Sequence, residues 1–491
     1  MSVTNQLAAP VPGNELPRRR RLLVLAICCL SLLIVGMDNT IVNVALPSIK
    51  RQLSASVEGL QWTVDAYTLV LASLLILAGS TGDRLGRRRT FQTGLVLFTV
   101  GSLLCSIAPG LGWLIAFRAV QAVGGSMLNP VAMSIITNVF TDPRERAQAI
   151  GVWGGVVGIS LGLGPIVGGL LTESIGWRAI FWINVPIGLA AFVLAALFIP
   201  ESRAIRARRP DPVGQLLVIV VLVSVTYAII HGPVAGWQSL STFGLFGLGV
   251  VALIVLLAWE LRRTDPLIEV RFFRSLPFSG ATVIAVCAFG AFSGLLFLYT
   301  LYLQDVRGLS ALSAGLFLLP LAVAVAVLAP VSGRIVGARG PRIPLVAAGI
   351  AMTLAGLGLT GLSNHTGYAW LIGCLVVYGI GFGFVNAPIT NTAVSGMPRD
   401  QAGVAAAVAS TSRQVGGSLG IAIIGSVVNT GLGVGPGFAH ATHPAWWIVT
   451  GAGLAILLIG LVTSGARARN SARRTAELLS GDPHEPELGR A

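Results

Sequence analysis

Four ionisable residues, Asp38, Asp65, Arg118 and Arg413, stand inside stretches that are otherwise apolar. A charge at the centre of a membrane helix costs about 3 kcal/mol on insertion scales, so each of the four is a candidate for function rather than filling. Asp38 lies in LLIVGMDNTIVNVALP (residues 32 to 47) and Arg118 in LIAFRAVQAVGG (residues 114 to 125). A carboxylate in oil is tolerated when a cation neutralises it. It is useful there when that cation can be exchanged for a proton. An arginine favours the charged carboxylate, whereas burial and a second acid oppose it. Asp38, Arg118 and Asp65 together are therefore expected to form a shared proton-handling network. Asp38 is the main carrier in that reading, Arg118 its partner, and Asp65 a second carrier or a cation contact. The alternative is a purely structural pair in which Arg118 only fixes the bundle.

The elements that must hold these residues follow from composition. Of 491 residues, 54% are hydrophobic and 11% charged, against about 25% charged in soluble domains, and the mean hydropathy is +0.82. Fourteen apolar windows lie between residues 22 and 464, each near the roughly 20 residues that cross a 30 Å hydrocarbon core. This predicts an all-α polytopic membrane protein. The first window follows Arg18 to Arg21 and is too long for a signal peptide, so it reads as an uncleaved helix. The five cysteines (Cys28, Cys29, Cys105, Cys287, Cys374) fall inside spans and read as small apolar residues. The five histidines (His231, His365, His440, His443, His484) are expected in loops or the tail, with neither a metal site nor a proton wire among them. No GxxxxGK[ST] loop is present, so direct drive by ATP is not expected. Nor is there a nucleophile, base and orienter set, so the chain reads as a non-enzyme that needs no cofactor.

The net charge of +14 raises nucleic acid as a partner, and its distribution argues against it. Of the 33 basic residues, only Lys50, Arg51, Arg178 and Arg307 fall in outer loops, and only Arg118 and Arg413 inside spans. That is the positive-inside pattern, and it predicts both termini in the cytoplasm of a multi-pass cell-membrane protein. At about 1.5 Å per residue, Asp38, Asp65 and Arg118 then share one layer on the order of 10 Å below the outer surface.

Two turns repeat weakly. GSTGDRLGRRR (Gly79 to Arg89) and SGRIVGARGPR (Ser332 to Arg342) align on Gly86 and Gly340, although Gly337 stands opposite Asp83. Internal repeats suggest two halves that rock about a central site. The expected organisation is a tail over 1–21, a six-helix half over 22–200, a linker with two inserted helices over 201–277, a second six-helix half over 278–464 and a tail over 465–491. Asp305 and Asp400 read as loop-edge acids, so the second half offers no carboxylate inside the bilayer.

These segments resemble a known family. GSTGDRLGRRR resembles the loop 2-3 signature of the major facilitator superfamily, and LIAFRAVQAVGG its fourth-helix signature. GLGPIVGG (Gly162 to Gly169) is similar to the fifth-helix antiporter signature, and MDNTIVNVALP (Met37 to Pro47) to the first-helix signature of the fourteen-helix drug/proton antiporter branch. WRAIFWINVPIG (Trp177 to Gly188) and TSRQVGGSLG (Thr411 to Gly420) are also similar to stretches of that branch. The resemblance implies a monomeric bacterial exporter of amphipathic drugs or antibiotics, driven by protons through alternating access. An uptake symporter on the same fold, or a membrane sensor without transport, are the alternatives.

Within that resemblance, Gly79, Asp83, Arg84, Gly86, Arg87 and Arg88 form a gating turn, with Asp83 capping a helix or pairing with an arginine in one state only. Gly164, Pro165, Gly168 and Gly169 make a bent, close-packed helix that opens and seals a pathway. Substrate contacts are expected from Asn43, Gln121, Phe289, Phe292, Tyr299, Tyr378, Asn386 and Arg413, an apolar and aromatic lining with a few polar anchors. Arg413 reads first as a side chain bonding carbonyls or reaching for the cytoplasm, and second as an anion or polar-substrate contact. Exporters of dications in this branch often carry an acid in span 10. ALSAGLFLLPLAVAVAVLAP (Ala311 to Pro330) has none.

Overall fold

The computed structural model describes residues 16–204, 211–263, 266–395, 397, 401–432 and 437–480. Asp400, His484, residues 205–210 and 264–265 of the linker, and the outer parts of both tails lie outside them. No strand occurs among the described residues. In a bilayer every backbone N–H and C=O must be satisfied within its own segment, and a long apolar window does this as a helix.

The first half comprises α1 (Arg18–Leu53), α2 (Val57–Leu85), α3 (Arg87–Ser106), α4 (Leu111–Val139), α5 (Pro143–Ser174) and α6 (Ala179–Phe198). An inserted pair follows, α7 (Pro212–Ala235) and α8 (Leu240–Glu260). The second half is α9 (Leu276–Val306), α10 (Ala311–Arg339), α11 (Arg342–Leu359), α12 (Tyr368–Val394), α13 (Ala402–Leu432) and α14 (Phe438–Thr463). Thirteen of these are long and apolar enough to span a membrane. The fourteenth position belongs to α3, whose first turn is three arginines and whose apolar run begins only at Phe91.

Local signals set the boundaries. Ser54 ends α1 at φ 50°, and the Ser56 hydroxyl accepts the Gly59 N–H at 3.1 Å to start α2. Gly86 (φ 113°) and Gly340 (φ 80°) both occupy the left-handed region that favours glycine. The aligned turns of the two halves therefore share a glycine at positive φ, although a further residue, Pro341, precedes the next helix in the second.

Arg20 donates to the Phe198 carbonyl at 3.2 Å, so α1 begins beside the end of α6; this is the proximal end of the bundle. At the opposite, distal end, Lys50 pairs with Asp305 at 2.9 Å. The inserted helix α7 docks on α2. Gln215 donates to the Ser73 carbonyl at 2.5 Å, and the Tyr227 and Trp62 rings stand 5.5 Å apart. It also packs against α13, and so bridges the halves. Three histidines expected in loops lie in helices instead: His231 is in α7, 3.1 Å from Glu58, and His440 and His443 are in α14. The arginine-rich tail also departs from expectation by forming an amphipathic helix, α15 (Ala466–Ser480). Its Ala468, Ala472 and Thr475 are buried, and its Ser471 hydroxyl accepts the Leu276 N–H at 3.0 Å.

Candidate functional site

Asp38 is fully buried in the first half, and so is the arginine that reaches it. The Asp38 Oδ2 accepts a hydrogen bond from Arg118 Nη1, which also donates to Gln121 Oε1 at 2.8 Å. The second carboxylate oxygen, Oδ1, accepts Gln121 Nε2 at 2.9 Å and Asn184 Nδ2 at 3.0 Å. Both amides also donate to Ser102 Oγ, at 3.2 Å and 3.0 Å. Arg118 Nε donates to the Thr63 carbonyl at 3.3 Å, and its guanidinium lies over the Tyr67 ring at 4.2 Å. Every helix of this half except α5 contributes a contact to this cluster. A buried ion pair left with one partner costs about 3 to 5 kcal/mol.

Asp65 does not join the pair. It is fully buried on the face of α2 that meets α13, near Ser418, where its Oδ1 accepts the Thr68 hydroxyl at 3.2 Å and its Oδ2 has no partner. Tyr67 is the α2 side chain that meets Arg118, and at 100° per residue a position two residues away points about 200° elsewhere. The expected three-residue network is therefore a pair plus a separate acid between the halves. Sequence reasoning missed Asn184 and Ser102. The signal was Asn184 itself, an amide inside the apolar run of WRAIFWINVPIG.

The glycines of α5 form a seam with both neighbours. A Cβ on Gly164 would stand 1.9 Å from the Thr40 hydroxyl of α1, and one on Gly168 2.7 Å from Ile41. On the other side, a Cβ on Gly169 would meet the Ala311 carbonyl at 2.6 Å, and one on Gly315 the Pro165 carbonyl at 2.2 Å. Toward the proximal end the α5–α10 contact loosens. Gly162 and Gly158 would meet Ala322 and Ala326 at 3.3 and 3.6 Å, while Gly151, Gly154, Gly155, Gly333 and Gly337 would meet nothing within 4 Å. Along this seam the halves are sealed distally and part proximally.

The Gly79 to Arg89 turn engages its own half. Asp83 Oδ1 accepts Arg87 Nε and Nη2 at 3.1 and 2.9 Å, and the Asp83 carbonyl accepts the Ala204 N–H at 3.0 Å. The helix cap comes from a residue sequence reasoning did not single out. Glu201 accepts the N–H groups of Arg88 and Arg89 at 3.1 and 3.3 Å, satisfying two orphan donors at the start of α3. A Cβ on Gly86 would lie 2.6 Å from that carboxylate. Gly79 lies in ordinary contact range of Pro130, and Arg84 is exposed.

In the second half, Phe292 and Phe382 stack at 4.2 Å, with Phe289 edge-on to Phe382 at 5.1 Å. Arg413 neither snorkels nor bonds a carbonyl. It donates from Nη2 to the Thr390 hydroxyl and lies 5.9 Å from the Phe289 ring. Asn386 is half-buried one turn before Thr390. Tyr299 packs among Tyr302, Phe317 and Trp446, and Tyr378 is fully buried. Asn43 is buried, donates to the Asn39 carbonyl at 3.2 Å, and keeps its own oxygen unpartnered. Gln121 belongs to the Asp38 cluster. Among the described residues no group of three His, Cys, Asp or Glu is placed to hold a metal ion.

Two six-helix halves with a shared turn, an inserted pair and a buried ion pair define a multi-pass membrane transporter. The chain belongs to the Major Facilitator Superfamily, whose model matches residues 28–421. It is 38% identical over 427 residues to the tetracenomycin C resistance and export protein of Streptomyces glaucescens, covering 87% of this chain and 79% of that one. It is 36% identical over 410 residues to the multidrug resistance protein Stp of Mycobacterium tuberculosis, covering 84% and 76%. Among solved structures, a peptide transporter of the POT type in complex with sulfate matches with a TM-score of 0.64 at 15% identity, over 93% of this chain and 95% of that one. That last likeness is one of fold.

Proposed function

We propose that this transporter exports amphipathic drugs or antibiotics across the cytoplasmic membrane in exchange for protons, by alternating access. The observation that carries the reading is the buried Asp38 and Arg118 pair, with its two amide donors on the second oxygen. The resistance and export proteins it resembles supply the substrate class. The distribution of arginines makes the proximal end cytoplasmic, so the parted halves face the cytoplasm in this conformation.

A drug enters the proximal opening and meets the aromatic cluster of Phe289, Phe292 and Phe382. Its binding favours closing the proximal end and loosening the α5–α10 seam at Gly169 and Gly315. A proton from outside neutralises Asp38, the ion pair with Arg118 relaxes, and the return to the present state releases the proton inward. Asp83 and its arginines act as the cytoplasmic gate of this cycle, and Asp65 is a second proton carrier at the interface between halves. The gradient is sufficient: 100 mV gives about 2.3 kcal/mol per charge and one pH unit about 1.4 kcal/mol. One proton then sustains a drug gradient of several hundredfold at about 1.4 kcal/mol per factor of ten.

Everted membrane vesicles test this. Acidifying their interior should drive accumulation of tetracenomycin C by the wild-type protein, and a protonophore should abolish it. Asp38→Asn should insert to the same level and accumulate none; uphill accumulation by that variant sinks the assignment of Asp38.

A further inference from the structure

Arg413 is a cation whose hydrogen-bonding capacity is largely unspent. A guanidinium carries five N–H donors. Arg118 directs its donors to Asp38, Gln121 and Thr63, whereas among the described residues Arg413 makes one hydrogen bond, to the Thr390 hydroxyl of α12. Its Nε is buried with no partner. Among the described residues no ion pair includes it. A half-buried cation without an internal counter-ion is costly in a bilayer, and an anion from outside the chain is what would offset that cost.

The surroundings narrow the kind of anion. On one side the guanidinium lies near the half-buried Phe289 ring, which is backed edge-on by the buried Phe382 and Phe292 stack. On the other, Thr390 and Asn391 are exposed on the same stretch of α12. Polar side chains exposed within a membrane helix line water-filled space rather than lipid, here the proximal opening between the halves. A cation flanked by an aromatic ring and a wet polar edge fits a molecule with an apolar body and one acidic group.

We infer that Arg413, Thr390 and the half-buried Phe289, backed by Phe382 and Phe292, form an anion-accepting subsite that selects acidic amphipathic substrates, those with a carboxylate, phenolate or sulfonate. This rests on the export reading and specifies its substrate class. Arg413 holds the acidic group by a charge-assisted hydrogen bond, and the Phe289 ring takes the apolar body. Among the described residues the second half has no fully buried acid to recruit a dication.

Binding to the purified full-length protein tests the subsite, with 11-(dansylamino)undecanoate and its methyl ester as probes and energy transfer from tryptophan as readout. The acid should bind about tenfold to a hundredfold more tightly than the ester, the effect of one hydrogen bond to a charged group. Arg413→Gln should remove that preference, and Arg413→Lys should retain part of it. Equal binding of the two probes by the wild type, or a preference that survives Arg413→Gln, overturns the subsite. Flux in proteoliposomes separates the two readings. A preference abolished by Arg413→Gln with neither probe moved by a proton gradient leaves the subsite standing and removes export. Transport of both probes with no Arg413-dependent preference does the reverse.

Discussion

The two oxygens of Asp38 are held by different chemistry. Oδ2 meets a guanidinium, and Oδ1 meets two neutral amides that also share Ser102. Only the charged partner must change when a proton arrives, so the amides fix the carboxylate in place while the ion pair makes and breaks. Asn184→Ala removes one amide and leaves its cavity. A buried hydrogen bond to a charged group contributes about 1.5 to 3 kcal/mol, so the variant should unfold at lower temperature in detergent and lose most proton-driven transport; unchanged melting and transport would remove Asn184 from the site. The pairing of Asp38 with Arg118 was legible because an acid and a base share one depth in an apolar chain. The direction of Asp65 was not, because depth fixes a layer and leaves the angle about the helix open. Neutral donors carry a weaker signal than charges: Asn184 is an amide in an apolar run, and Ser102 is a hydroxyl of a kind that commonly bonds its own helix.

Among the elements, α5 is the one whose sequence most directly dictates its packing. Glycines on opposite faces let it approach α1 at Thr40 and Ile41, and α10 at Ala311 and Leu312. Backbone at such distances leaves no space for a side chain. Gly169→Leu should hold the distal seam apart, raise labelling of a cysteine placed at position 312 by an impermeant thiol reagent added outside, and abolish transport. Gly333→Ala, where the new methyl group meets nothing, should do neither. If Gly169→Leu labels like the wild type, the distal closure is not held by this seam. The helix windows and the glycine seam were readable because length, hydropathy and small residues act locally. The tail helix α15 was not, because its buried face is mostly small, Ala468, Ala472 and Thr475 with Leu479 packed behind them, beneath a coat of arginines. His231 was placed outside a helix because the apolar run stops there, yet α7 continues to Ala235.

For the whole molecule, the distal end is tied by contacts that cross between the halves: Lys50 with Asp305, Gln304 with the Val44 carbonyl at 2.8 Å, and Glu173 with the Leu312 N–H at 3.2 Å. Gln61 adds bonds to the Ile421 and Ala422 carbonyls at 3.1 and 3.0 Å. A few hydrogen bonds and surface pairs of this kind, at about 1 kcal/mol each, are few enough for binding energy to exchange them for a proximal seal. The fourteen-helix plan and paired halves were visible in the sequence through hydropathy and the two glycine turns. Which end is closed was not, since it depends on contacts between residues hundreds of positions apart. The central claim is that drug exit is exchanged for proton entry through Asp38. Adding tetracenomycin C to everted vesicles with an acidic interior, while following the lumenal pH, tests it most directly. The account predicts that the drug raises the lumenal pH of vesicles carrying the wild-type protein and not of those carrying Asp38→Asn; an undiminished rise with Asp38→Asn, or none with the wild type, would contradict it.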